Sequence, residues 1–206
     1  MRIRKADVRQ LDSVVEMHMA TFPGFFLTFL GPGFLKCLYK AFLMHDTSDL
    51  LIAENADGVL LGFSAYSNDL KALYNHLLRH SMIPLAWYSL VASLRRPSAI
   101  FRLLRGLKQP IQAVRAEQYA ELASIGVAPK QRHSGIGSAL INDVKSRINF
   151  SAVSYLKLET DADNNDEVNA FYLHHSFELH HSFLTPEGRR MNEYRYIPPS
   201  AKLDKR

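Results

Sequence analysis

One stretch limits this chain more than any other. Residues 119–127 read as an apolar strand, a proline-containing loop with Gly135 and Gly137 follows, and 135–148 read as an amphipathic helix. The inner face of that helix is Ile136, Leu140, Ile141, Val144 and Ile148. A strand that feeds a helix directly leaves the first amides of the helix without acceptors, pointing out of its amino end. With the helix dipole behind them, they form a cradle for a diphosphate. Gly135 and Gly137 carry no side chain to block phosphate oxygens and tolerate positive φ. Arg132 and Lys130 add charge at the rim.

Other phosphate motifs fit badly. A P-loop needs Gly-Lys-Ser or Gly-Lys-Thr, and here Gly137 is followed by Ser138-Ala139. A dinucleotide fingerprint needs another glycine where Leu140 stands, within an early βαβ unit. The plain alternative is a glycine-containing helix start that holds no ligand.

The rest of the chain alternates between the two periods. Residues 3–6 read as a strand, and Asp7 caps a helix with Val8, Leu11, Val14, Val15, His18 and Met19 at helical spacing. Phe22-Pro23-Gly24-Phe25-Phe26 breaks it. A second helix follows Gly31-Pro32-Gly33, with Phe34, Leu35, Leu38, Phe42 and Leu43 inward. Strands at 50–54 and 59–67 flank the turn Asn55-Ala56-Asp57-Gly58. Residues 69–115 look helical and aromatic, with breaks at Pro84, Pro97 and Gly106. A strand at 153–159, a helix at 165–174 and an antiparallel pair at 177–184 and 191–197 complete the order. The pattern predicts a mixed α/β sheet with helices on its faces. One domain spans 1–198, and 199–206 form a polar tail.

Composition excludes several classes. With 206 residues, 47% hydrophobic and 22% charged, the chain is globular rather than disordered. A single cysteine, Cys37, excludes an intramolecular disulfide and lies in an apolar helical pattern without an activating partner. The amino terminus has basic residues but no apolar run behind them, so it does not read as a signal peptide. The longest apolar stretch, 82–94, falls short of the roughly 20 residues needed to cross a bilayer. Cytoplasmic residence is the default expectation. The net charge of +5 favours an anionic partner without naming it.

Two motifs together are more specific than either alone. Arg132-His133-Ser134-Gly135-Ile136-Gly137, behind a strand ending in Val127-Ala128-Pro129, resembles the acyl-CoA pyrophosphate motif of the GCN5-related N-acetyltransferase (GNAT) family. Asn165-Asp166-Glu167-Val168-Asn169-Ala170-Phe171-Tyr172, followed by Ser176-Phe177, resembles that family's later helix, usually Asn-x-x-Ala-x-x-Phe-Tyr and then Gly-Phe. Two residues depart from the pattern. Val168 replaces an alanine and asks for more packing room. Ser176 replaces a glycine, so serine must adopt a left-handed backbone or the turn is built differently.

The resemblance implies a GNAT-type mixed central sheet flanked by helices, with a helical insertion between the third and fourth strands. It implies an acetyl-CoA-dependent N-acetyltransferase acting by direct transfer on an amine of a small molecule or amino sugar. A protein-amine acetyltransferase and a non-catalytic acyl-CoA sensor are the alternatives, and neither acyl chain length nor oligomeric state is legible. Backbone groups of Ile125 and Val127 would hold the pantetheine arm. Arg132, His133, Ser134, Gly135, Ile136, Gly137 and Ser138 would hold the diphosphate, with Asn165 near the sulfur end. Glu121 stands where several family members place a general base, and Tyr172 matches the proton donor to the leaving thiolate. The Ile125 amide is the simplest oxyanion donor.

The residues themselves leave both catalytic readings open. Strict alternation puts Glu121, Ala123 and Ile125 on one face, and a half-buried carboxylate there has a raised pKa that suits a base. A surface or salt-bridged Glu121 is the alternative, as a core aromatic is for Tyr172. Glu54 and Tyr66 are secondary candidates. His174-His175 and His180-His181 offer at most one metal ligand each, because adjacent residues diverge, and no carboxylate completes a set; no metal is expected.

The insertion is strongly basic. From Asp69 to Glu117 no acidic residue intervenes, while Lys71, Arg79, Arg95, Arg96, Arg102, Arg105, Lys108 and Arg115 fall inside, interleaved with Tyr74, Trp87, Tyr88 and Phe101. It reads as a flap over an anionic acceptor, as a peripheral membrane contact through Trp87 and Leu90, or as a helical excursion with solvated arginines. No nucleic-acid module is present.

Overall fold

The computed structural model describes residues 1–95 and 118–199. The breaks expected at Pro97 and Gly106 and the polar tail from 200 onward lie outside these residues. Seven strands, β1 (Arg2–Lys5), β2 (Ser48–Glu54), β3 (Leu60–Ser67), β4 (Tyr119–Val127), β5 (Tyr155–Asp161), β6 (Glu178–Leu184) and β7 (Arg190–Tyr196), form one sheet. Its order is β1-β2-β3-β4-β5-β7-β6, and only the β4–β5 pair is parallel.

Period-two burial decides which helices lie where. Leu50 and Ile52 of β2, with Phe63 and Ala65 of β3, pack into one core with α1 (Leu11–Thr21), α2 (Phe26–Leu30), α3 (Pro32–Met44) and α4 (Leu70–Arg95). Leu51 and Ala53 face the other way, onto α5 (Ile136–Arg147). α6 (Asp166–His174) shares that second side through Tyr172. A sheet covered on both faces buries successive residues of its central strands, which is why β2 reads as a continuous apolar run.

Local signals explain most boundaries. Asp7 accepts the Arg9 amide at 2.7 Å, and the Gln10 side chain accepts the Asp7 amide at 2.9 Å. This capping box opens a 3-10 turn, Val8–Gln10, that runs into α1. Val8 is exposed, not inward. The Pro23-Gly24 break is followed by a helix, α2, that the sequence pattern missed; Gly24 takes φ +83 and lets the chain turn back into helix at once. β5 begins at Tyr155, not 153, because the Ala152 and Val153 amides both bond the Asn149 carbonyl and hold the preceding residues in a turn.

The break expected at Pro84 falls three residues earlier. α4 consists of two helical segments that meet at a kink at Ser81 (φ −132, ψ 18), with Pro84 in the opening turn of the second. The pyrrolidine ring clashes with the carbonyl four residues back, that of His80, and supplies no amide, so the ladder is lost just before the proline and the bend falls there. The helix is seated on α3, where a Cβ on Gly33 would come within 2.3 Å of the Tyr88 ring.

Ser176 is left-handed, with φ +60. The Phe177 amide reaches back to the Tyr172 carbonyl at 3.1 Å and the Ser176 amide to that of Leu173 at 3.0 Å, a Schellman closure of α6. Ser176→Gly is therefore expected to stabilise the protein by about 1 kcal/mol, relieving left-handed strain on a residue with a Cβ. In thermal unfolding this is a rise of about 2–4 °C; a lowered Tm would show that the strain is absorbed elsewhere. Val168 needs no packing room, since it is exposed.

Candidate active site

β4 is paired along most of its length to β3 but only briefly to β5. The parallel ladder joins Tyr119 to Tyr155, Ala120 to Leu156 and Glu121 to Lys157, and stops. Residues 122–127 of β4 and 158–161 of β5 have no ladder between them, and β5 continues on its other side with β7 as far as Asp161. A wedge opens between two adjacent strands of the same sheet.

Among the described residues, the wedge leaves one backbone edge of β4 without a strand partner. The Ala128 amide bonds the Leu61 carbonyl at 2.9 Å, so alternation directs Gly126 and Ser124 toward β3 as well. Ile125 and Val127 then turn their amides and carbonyls to the open edge. The Val127 carbonyl is approached there by the Thr21 hydroxyl of α1 at 3.5 Å.

A β-bulge re-phases the strand. Ala65 faces Ser124 while Tyr66 faces Leu122, leaving Ala123 as the extra residue. The expectation that Glu121, Ala123 and Ile125 share a face is therefore wrong. Ile125 packs on the α5 side, against the clusters of Ile136, Leu140 and Ile141. Glu121 lies between Ala120 and Leu122, both buried on the α5 side, and so points to the other face, beneath α4. There the Lys157 ammonium lies 3.3 Å from Glu121 and 2.6 Å from Glu159. Tyr74 of α4 stands over the group; burial, and then the Glu121 carboxylate, push its phenol up to about 12.

The phosphate-type junction has the expected form. His133 takes φ +60, and Gly135 takes φ +81 as the N-cap of α5. The first helical bond runs from the Ala139 amide to the Gly135 carbonyl at 3.0 Å, so the amides of Gly135, Ile136, Gly137 and Ser138 have no helical carbonyl before them. The first turn carries no acidic residue to neutralise the dipole. A Cβ on Gly135 would meet nothing within 4 Å, so glycine is needed for its backbone angle and not for packing. Gly137 differs, because a Cβ there would press the Phe171 ring of α6 at 3.4 Å. Arg132, His133 and Ser134 are exposed. The Ile136 side chain is buried in the core, which leaves only its amide for a ligand.

Contacts that the sequence reading did not anticipate, one of them from Lys145, brace this junction. The Ser138 hydroxyl is 2.9 Å from His175 Nε2, joining the first turn of α5 to the end of α6. Burial lowers the His175 pKa, and Lys145 lowers it further. Lys145 donates to the His175 carbonyl and lies 3.9 Å from the Tyr196 ring centroid and 4.8 Å from that of Phe177. Burial in this aromatic clamp lowers its ammonium to about 8. His133 reaches Glu167 at 3.3 Å across an exposed gap.

Tyr172 is buried against Phe177 and Tyr194, in the same cluster as Leu122 and Leu158, the first residues beyond the paired segment. Burial raises its phenol well above the usual range, so it stays protonated. Asn165 does not cap α6 with its side chain. Its amide nitrogen donates to the Thr160 hydroxyl and the Asp161 carbonyl, both at 2.9 Å, and fixes the loop after β5. Asn169, one turn on, does more: it donates to the Asp161 carbonyl and accepts from Asn192 and the Tyr194 hydroxyl. Its spacing of four from Asn165 was the available signal.

The secondary candidates are occupied elsewhere. Glu54 is gripped by both nitrogens of the Arg4 fork at 2.9 Å, whose hydrogen bond lowers its pKa. Tyr66 donates to Asp49 at 3.0 Å, and burial raises its phenol. A hollow lined by Gln10, Ser13, Glu16 and Gly58 contains Glu54 and reaches Ala128 and Pro129, just past the end of β4. The histidines also differ from expectation. A second bulge, at His180, lets His180 and His181 converge with Glu193 so that one ligand atom of each lies within 4.8 Å of the others. Glu193 already accepts from Arg195 at 2.7 Å.

A sequence model of the Acetyltransferase (GNAT) family matches residues 11–177. The chain belongs to this family. By sequence comparison no curated protein matches it. The GNAT fold is shared with a GNAT-family acetyltransferase from Desulfovibrio desulfuricans at 17% identity and TM-score 0.59, covering 95% of this chain and 98% of that one. It is shared with the ribosomal-protein-S18-alanine N-acetyltransferase of Escherichia coli at 13% identity and TM-score 0.56, covering 95% and 92%. The spermidine/spermine N-acetyltransferase SpeG of Vibrio cholerae is similar at 13% identity and TM-score 0.57, covering 99% and 98%. In this GNAT sheet α4 lies between β3 and β4.

Proposed function

We propose that this GNAT acetyltransferase transfers an acetyl group from acetyl-CoA to a primary amine of a small molecule or amino sugar. The observation that carries the reading is the wedge, which ends at an uncapped helix start. Ile125 and Val127 supply backbone partners for an extended pantetheine arm. Gly135, Ile136, Gly137 and Ser138 supply amides for the diphosphate, with Arg132, His133 and Ser134 at the rim and Asn165 at the far end. The residues present fit the group: a Cβ on Gly135 would meet nothing within 4 Å, the first turn of α5 carries no acidic residue, and the one carboxylate described at the rim, Glu167, is paired with His133.

Bound acetyl-CoA supplies an activated thioester; the amine forms the new C–N bond as the C–S bond breaks and CoA leaves as thiolate. Glu121, on the α4 side, takes the amine proton directly or through water. Tyr172, on the α5 side, would give its proton to the departing sulfur and regain one through solvent as Glu121 releases the proton it took. The Ile125 amide steadies the carbonyl oxygen as it gains charge.

Calorimetric titration with CoA tests the cradle. Saturable binding is expected, weakened about tenfold or more by Gly135→Ala, which strains the backbone and sets a methyl where the phosphate approaches. No heat with wild-type protein would overturn the reading. Thiol release from acetyl-CoA across amino sugars, polyamines, amino acids and peptides then identifies the acceptor.

A further inference from the structure

The bend at Ser81 divides α4 into unlike halves. Before it the fully exposed positions are polar: Lys71, Asn75, Arg79 and His80. After it, among the described side chains up to Leu94, every exposed one is apolar. Ile83 is 81% exposed, Leu94 79%, Met82 65%, Trp87 62% and Leu90 53%. The opposite side buries Leu85 and Ala92 in the core. This half-helix carries no charged residue from 82 to 94, and its exposed side is apolar yet stands in solvent. Contiguous apolar surface of this kind marks a contact site.

Charge decides what covers it. Ile83, Trp87, Leu90 and Leu94 follow the 4-3-4 spacing of a helix–helix seam, so a second copy is geometrically eligible. From Asp69 to Glu117, however, no carboxylate intervenes among eight lysines and arginines. A second copy offers, from this stretch of sequence, no acidic residue to complement those basic ones. An anionic lipid surface has the opposite sign and accepts apolar side chains beneath its headgroups. Spanning is excluded for this helix: among the described residues none is long and apolar enough to cross a bilayer.

We infer that residues 82–94 of α4 dock the protein onto an anionic membrane, lying in the interfacial plane with Ile83, Trp87, Leu90 and Leu94 inserted.

Trp87 is the sole tryptophan, so its emission reads the contact directly. With vesicles of equal parts phosphatidylglycerol and phosphatidylcholine, the emission shifts to shorter wavelength and the protein co-sediments; both effects shrink as salt is added. Phosphatidylcholine alone binds about tenfold less or weaker. Ile83→Ser with Leu94→Ser abolishes the shift without changing thermal unfolding, since both side chains are exposed. Emission unchanged by anionic vesicles overturns the inference. So does emission already blue-shifted in dilute protein, which would mean that the chain covers this face itself. A concentration-dependent dimer that the double-serine variant abolishes would assign the face to a second copy instead.

Discussion

Glu121→Gln is expected to lower acetyl transfer by about 10²–10⁴-fold while leaving CoA binding intact. The substitution keeps shape and removes only the ability to take a proton. The fold should tolerate it, because Lys157 retains Glu159 at 2.6 Å and is not left as an unpaired buried cation. CoA binding should tolerate it too. The bulge at Ala123 sends Glu121 to the α4 face, while Ile125 packs its side chain on the α5 face and leaves only its backbone edge for the proposed cofactor contact. Turnover followed by thiol release and affinity followed by calorimetry should therefore separate. Equal turnover for wild type and variant would reduce Glu121 to a structural partner of Lys157.

Acidification should destabilise the protein through His18. The ring is 3% exposed; its Nδ1 lies 2.6 Å from the Tyr39 hydroxyl, which donates onward to Ser124 at 3.1 Å, while Nε2 is buried without a partner among the described residues. Burial lowers the pKa from 6.5 to about 4. The folded protein then refuses a proton that the unfolded chain accepts. The stability is fully present above pH 6.5 and declines as the pH falls toward 4, by about 3 kcal/mol in total. Urea unfolding at pH 7 and pH 4.5 measures it, with His18→Leu as the reference that lacks this titration. Parallel pH dependences in the two proteins would assign the acid sensitivity to other groups.

What the sequence made legible follows from how local each determinant is. The Asp7 capping box, the start of α5 at Gly135 and the left-handed Ser176 depend on neighbours within a few residues. The face of Glu121 was misread because a bulge is a property of pairing: nothing within Tyr119–Val127 announces that β3 will skip Ala123. His180 and His181 were misjudged for the same reason on β6. The anchoring of Ser138 by His175 joins residues 37 apart and needs the packing of two helices. In α4, hydropathy gave a helix but could not say that the side bearing Trp87 and Leu94 would be left uncovered.

The brief pairing of β4 with β5 has a mechanical consequence. Three rungs, Tyr119–Tyr155, Ala120–Leu156 and Glu121–Lys157, stitch β1-β2-β3-β4 to β5-β7-β6. A molecule that lies along the free margin of β4 and touches the margin of β5 becomes a rivet across that seam, so occupancy and rigidity rise together. Amides flanking the seam should exchange with solvent more slowly once it is filled, and heating the empty protein should part the halves there first.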